Sequence, residues 1–126
     1  MLIATGTFSG RGGHILRGHF TLTQRADGVL MTTSEDFFFD GAEEPGWALF
    51  DRIPQSSADP SLAAAAETLG FGRLAPSSQF PHREIVGRRT ALIPSRLSVD
   101  AYECIFLWCY ATQFLLGIGP YALQSV

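Results

Sequence analysis

The chain has 126 residues, 46% of them apolar and 17% charged, with a formal net charge of −3. That length suits one domain with a core of its own, and the composition excludes a disordered chain. The acidic balance gives no overall attraction to nucleic acid or to an anionic bilayer.

The opening "MLIATGTFSG" has no basic n-region and no long apolar run. As given, the expected location is cytoplasmic, or exported or periplasmic if the N-terminus was trimmed. "SGRGGH" at residues 9–14 is glycine-rich but lacks the Lys-Ser/Thr of a phosphate loop, and no helical pattern follows it. It reads as a turn or bulge between strands. "HFTLTQ", "RADG" and "VLMTT" then place two β-prone runs around an Asp-Gly step, the signature of a hairpin.

"DFFFD" and "GWALFDRI" read as further strands separated by the acidic turn "DGAEEPG", with Phe37, Phe38 and Phe39 as core and rim. Glu35, Asp36, Asp40, Glu43, Glu44 and Asp51 lie close together without a base among them, and Arg83, Arg88, Arg89 and Arg96 follow downstream. Two arrangements are open: the segments face each other across a sheet, or the acidic one is a solvated loop. All nine basic residues are arginine, which reads as compositional bias because no spacing makes them a motif.

"DPSLAAAAETLG" is the one helix, expected over 60–69. Asp59 suits the N-cap, Pro60 the first turn, and Gly70 a left-handed stop. Its alanine interior buries little area, so the helix is expected to be peripheral. "FGRL", a polar loop with Pro76 and Pro81, and a strand around "RTALIP" come next.

Residues 104–123 carry no charge, the length of a membrane-spanning helix. Thr112 and Gln113 fall at the midpoint, Gly117, Gly119 and Pro120 interrupt any helix, and the aromatic and β-branched content favours strand. The expectation is no membrane span but a buried strand, a turn near Thr112–Gln113 and a second buried strand. Ile105, Leu107 and Cys109 then share one face, with Phe106 and Trp108 on the other. Many short strands and one short helix predict a single all-β domain over 1–126, a sandwich or barrel-like arrangement of antiparallel sheets.

"DAYECIFLWCYATQFLLGIGPYAL" resembles the C-terminal signature of the DM13 domain family, at Asp100, Tyr102, Trp108, Cys109, Gly117 and Leu123. "ALIP", with Ile93 and Pro94, and "FGRL" are similar to its preceding strand and short run. Gly6, Phe8, His14 and Gly18, then Asp36, Phe37 and Pro45, match its N-terminal half more loosely. The chain departs from the family at Cys104, where Ser is usual, and in a longer alanine-rich helix and 75–89 loop. The family is usually exported or membrane-tethered. The resemblance implies a β-sandwich-like domain with a redox or electron-transfer role centred on Cys109, acting either as a bare thiol or as a thiolate holding a group such as haem. The partner it implies is an unidentified redox or protein partner.

A reactive thiol requires a lowered pKa and access to solvent. Trp108 and Tyr110 are neutral, so activation must come from elsewhere in the fold, with His14, Arg88 and Arg89 as candidate sources. Cys109 is the candidate catalytic residue, and Cys109, His14 and Trp108 are the candidate cofactor-binding set. A Cys109 thiolate and one histidine are both known axial ligands of haem, and with no C-x-x-C-H motif any haem would be non-covalent. Cys104 and Cys109 are ~16 Å apart along a strand and point to opposite faces, so they are not a redox pair. His14, His19 and His82 have no zinc spacing. The rival reading is a non-catalytic interaction domain in which Cys109 packs as a small, inert hydrophobe.

Overall fold

A computed structural model describes residues 1–74 and 84–124. The expected polar loop with Pro76 and Pro81, together with His82 and Arg83, lies outside these residues. The strands are β1 (Leu2–Thr7), β2 (Ser9–Gly10), β3 (Leu16–Arg17), β4 (His19–Arg25), β5 (Gly28–Thr33), β6 (Phe38–Phe39), β7 (Pro45–Phe50), β8 (Gly70–Arg73), β9 (Ile85–Val86), β10 (Thr90–Pro94), β11 (Cys104–Cys109) and β12 (Phe114–Leu123). One α-helix, α1 (Pro60–Thr68), follows β7, and a 3-10 turn at Val99–Ala101 precedes β11.

Eight strands run in the order β10-β5-β4-β1-β12-β11-β7-β8, and β2 pairs alongside β12. Every pairing in this sheet is antiparallel. Its two edges curl towards each other, so that a Cβ on Gly72 of β8 would lie 3.8 Å from the Cβ of Ala91 on β10. The sheet thus nearly closes into a barrel, and β3, β6 and β9 form a small second sheet. The fold is all-β with one short helix, as the sequence predicts.

Alternation builds the interior. Phe20, Leu22 and Met31 of the expected β4–β5 hairpin turn inward and are fully buried. Phe8 is the centre of an aromatic cluster, its ring 4.7 Å from Phe20, 5.3 Å from Trp47 and 5.4 Å from Phe37. Phe39 is buried with them, whereas Phe38 turns to the rim beneath the Arg17 guanidinium. Of the acidic and basic segments, Glu35 and Arg88 meet in an exposed ion pair at 3.2 Å.

β7 and β11 are apolar on both faces because both are covered. Ile105, Leu107 and Cys109 join Trp47 and Leu49 inside the barrel. Cys104, Phe106 and Trp108 join Ala48 and Phe50 in a second cluster on the outside. Leu62, Ala65 and Ala66 of α1 cover that cluster. The helix is peripheral in position, yet Leu62 is fully buried.

Asp59 caps the helix by accepting from the Ser61 N–H at 2.9 Å, with Pro60 in the first turn. The helix stops differently from the sequence expectation. Leu69 is the C-cap, and Gly70 begins β8 without a left-handed backbone. Gly70 is required for space: a Cβ there would come within 2.7 Å of Tyr110 Oη and 2.8 Å of the Ala66 carbonyl oxygen. Residues 104–123 form two strands joined by a turn over Tyr110–Gln113. No helix among the described residues is long and apolar enough to cross a membrane.

Candidate functional site at Cys109

Cys109 ends β11, paired with Pro45 of β7 on one side and Phe114 of β12 on the other. The chain then reverses within four residues. Gln113 donates its N–H back to the Cys109 carbonyl at 2.8 Å, with a left-handed φ of 60°.

The Thr112 hydroxyl and the backbone N–H groups of Glu44, Thr112 and Ala111 favour the ionised form of Cys109. Burial is the largest single influence and opposes ionisation. The four donors together outweigh it, and the thiol pKa is lowered from its ordinary value. Amide and hydroxyl dipoles favour the thiolate, with no cationic side chain among the influences on it.

Cys109 is only 2% exposed. It nevertheless lines a cavity of about 300 Å³ at one end of the barrel, together with Gly12, His14, Gly41, Thr112 and Phe114. Three loops enclose this space: the turn before β3, the segment between β6 and β7, and the β11–β12 turn. Gly12 and Gly41 both have left-handed φ values, 64° and 105°, which glycine adopts without strain.

His14 lines the same cavity. Its Nδ1–H donates to Asp40 Oδ1 at 2.9 Å, with both side chains about 30% exposed. This leaves Nε2 as the ring nitrogen not engaged by Asp40. The geometry thus brings a thiol and a carboxylate-paired imidazole to one cavity.

Other expected neighbours are elsewhere. Trp108 points to the opposite face of β11 and lines a separate cavity of about 740 Å³ with Tyr110, Arg73 and residues of α1. It does not share a site with Cys109. Arg88 pairs with Glu35, the backbone N–H of Arg89 donates to Thr33 Oγ1, and neither arginine lines the Cys109 cavity. Of the three candidate sources of activation only His14 reaches this cavity, and amides and a hydroxyl lower the Cys109 pKa.

Cys104 is the opposite case. It lies in the outer cluster with no exposure, and burial pushes its thiol up to about 12. Both cysteines are free.

Tyr110 fastens the turn beside Cys109. Its N–H donates to the Glu44 carbonyl at 2.9 Å and its hydroxyl to the Ala66 carbonyl at 2.8 Å. The Arg73 guanidinium lies 3.5 Å above its ring.

A haem does not fit this arrangement. The Cys109 cavity is at the lower end of the ~300–1,000 Å³ that hold drug-sized ligands, and a porphyrin with its substituents is larger than the ligands found at that end. The larger cavity at Trp108 has no Cys or His among its described lining residues and so offers no axial ligand of those types. Among the described residues no group of three or more His, Cys, Asp or Glu side chains could hold a metal ion.

The sequence singles out Cys109 and His14, which the fold brings to one cavity, but not Thr112, Asp40 or the Glu44 amide. Thr112 had a local signal, since a cysteine opening a tight turn meets the amides and hydroxyl two and three residues on. Asp40 had none, being brought to His14 only by the β3–β6 pairing. No protein-family model matches the chain, and comparisons with curated proteins and with solved structures find no match.

Proposed function

We propose that this chain is a DM13-like redox domain in which Cys109, as a bare thiolate, is the reacting group. The observation that carries this reading is that Cys109 borders a cavity shared with His14, and polar groups of the β11–β12 turn and the Glu44 amide lower its pKa there. A thiolate is the reactive form of cysteine, and a lowered pKa with access is what distinguishes a reactive thiol from a packing one. The resemblance at Trp108-Cys109 supports the same residue. Cys104 is on the far side of the strand, so the resolving thiol or electron partner lies outside this domain.

The 2% exposure of Cys109 favours a second reading, a non-catalytic interaction domain whose thiol is structural. There the Tyr110 N–H bond to the Glu44 carbonyl holds the β11–β12 turn against the Glu44 segment, with Cys109 packed beneath it. Alkylation of the folded protein separates the two readings. A redox site gives one thiol that reacts near neutral pH with an apparent pKa below the ~8.5 of free cysteine. A structural site gives no labelling until the protein unfolds.

A further inference from the structure

We propose that the Cys109 cavity is a hydroperoxide site, with His14 as the proton donor to the leaving oxygen. This rests on the thiolate reading above and extends it by naming the substrate class and a second reacting residue. Three observations carry it. Cys109 and His14 both line one small cavity. Asp40 engages the imidazole at Nδ1 and leaves Nε2 outside that pairing, so the protonated ring carries a second N–H to donate. The cavity walls are mixed, with Thr112 for a polar oxygen pair and Phe114, Leu116 and Ala42 for a small apolar group.

The chemistry balances with these groups. The Cys109 thiolate attacks the terminal oxygen of ROOH, an S–O bond forms and the O–O bond breaks. The products are Cys109 sulfenic acid and RO⁻, and His14 transfers its proton to RO⁻ to give ROH. Sulfur is oxidised by two electrons and the peroxide reduced by two. The half-exposed His14–Asp40 pair regains a proton from solvent. An external thiol then condenses with the sulfenic acid to a mixed disulfide, releasing water, and a second thiol restores Cys109. Cys104 cannot act as the resolving thiol because it faces the other cluster.

The test compares two reactions of the same thiol. Alkylation by iodoacetamide expels iodide and requires no proton donor, whereas peroxide reduction expels a basic oxygen. Rates with iodoacetamide, hydrogen peroxide and tert-butyl hydroperoxide are measured on the wild-type chain, His14→Gln and Asp40→Asn. The expected result is that His14→Gln loses roughly 100-fold more rate with at least one peroxide than with iodoacetamide, the scale of lost general acid catalysis. Dimedone trapping should place the sulfenic acid on Cys109.

If wild type alkylates and His14→Gln loses no more rate with either peroxide than with iodoacetamide, the inference is overturned while the thiolate reading stands. If Cys109 resists alkylation in the native wild type, the thiolate reading itself fails. Should His14→Gln not fold, the wild-type ratio of peroxide to alkylation rate, set against free cysteine, decides: a ratio no higher than that of free cysteine overturns the proposal.

Discussion

Cys104 and Cys109 occupy the two ends of β11, face opposite clusters, and have thiols driven in opposite directions. Burial with little compensation raises Cys104 to about 12, while amide and hydroxyl dipoles lower Cys109 despite its burial. Native-state labelling should therefore modify Cys109 alone, with Cys104 appearing only on unfolding. Cys109→Ser should abolish that labelling while changing stability by about 1–2 kcal/mol. Mass spectrometry after a brief alkylation pulse reads the outcome, and modification of Cys104 in the folded chain would contradict it.

The same contrast shapes stability against pH. Cys109 has a folded pKa below its unfolded one, so between the two the unfolded chain binds more protons and stability rises with pH. That contribution is complete above ~8.5 and is lost as pH falls through the folded value. Cys104 acts in reverse: above ~8.5 the unfolded thiol ionises while the native one keeps its proton, so stability falls with rising pH. Tyr110 and Tyr121, both raised by burial, add to the fall only above ~10. Urea midpoints measured from neutral to alkaline pH should show Cys109→Ser flattening the rise and Cys104→Ala flattening the first part of the fall.

Tyr110 links the turn beside Cys109 to the last turn of α1. Tyr110→Phe keeps the ring beneath Arg73 and removes the donor to the Ala66 carbonyl, at an expected cost of about 1 kcal/mol. Gly70→Ala places a Cβ against Tyr110 Oη and that carbonyl, and should cost about 1–3 kcal/mol through forced displacement. Chemical denaturation of both variants checks the order.

The helix offers a sharper test than its alanine content suggests. Leu62→Ala empties a fully buried position in the outer cluster and should cost about 2–5 kcal/mol, with a red shift of Trp108 emission as that cluster loosens. Asp59→Ala removes the cap on the Ser61 N–H and should lower Tm by less.

Much of this architecture was legible because it follows short-range rules. Alternation on β11 separates Ile105, Leu107 and Cys109 from Phe106 and Trp108, and an Asp-Gly step announces the β4–β5 hairpin. Asp59-Pro60 marks the helix start for the same reason, since a cap is a contact between residues two apart. What escaped was non-local. Nothing near His14 points to Asp40, nothing near Cys109 to the Glu44 amide, and nothing near Gly70 to the Tyr110 hydroxyl. The role given to Arg88 and Arg89 was misplaced because side-chain charge is visible in a sequence, whereas the amide dipoles of a turn are not.

The pairing of β1 with β12, which sets Ala4 beside Leu123, bears on how the chain reaches its fold. β1 lies in the middle of the main sheet, flanked by β4 and by β12, more than a hundred residues downstream. During synthesis the β4–β5 hairpin can form early, but β1 keeps one edge unpaired until β12 emerges. Such distant pairing raises contact order and slows folding, because a long loop must close before its contacts stabilise anything. Until then the nascent chain carries an open strand edge, the feature through which partly made β-proteins associate with one another.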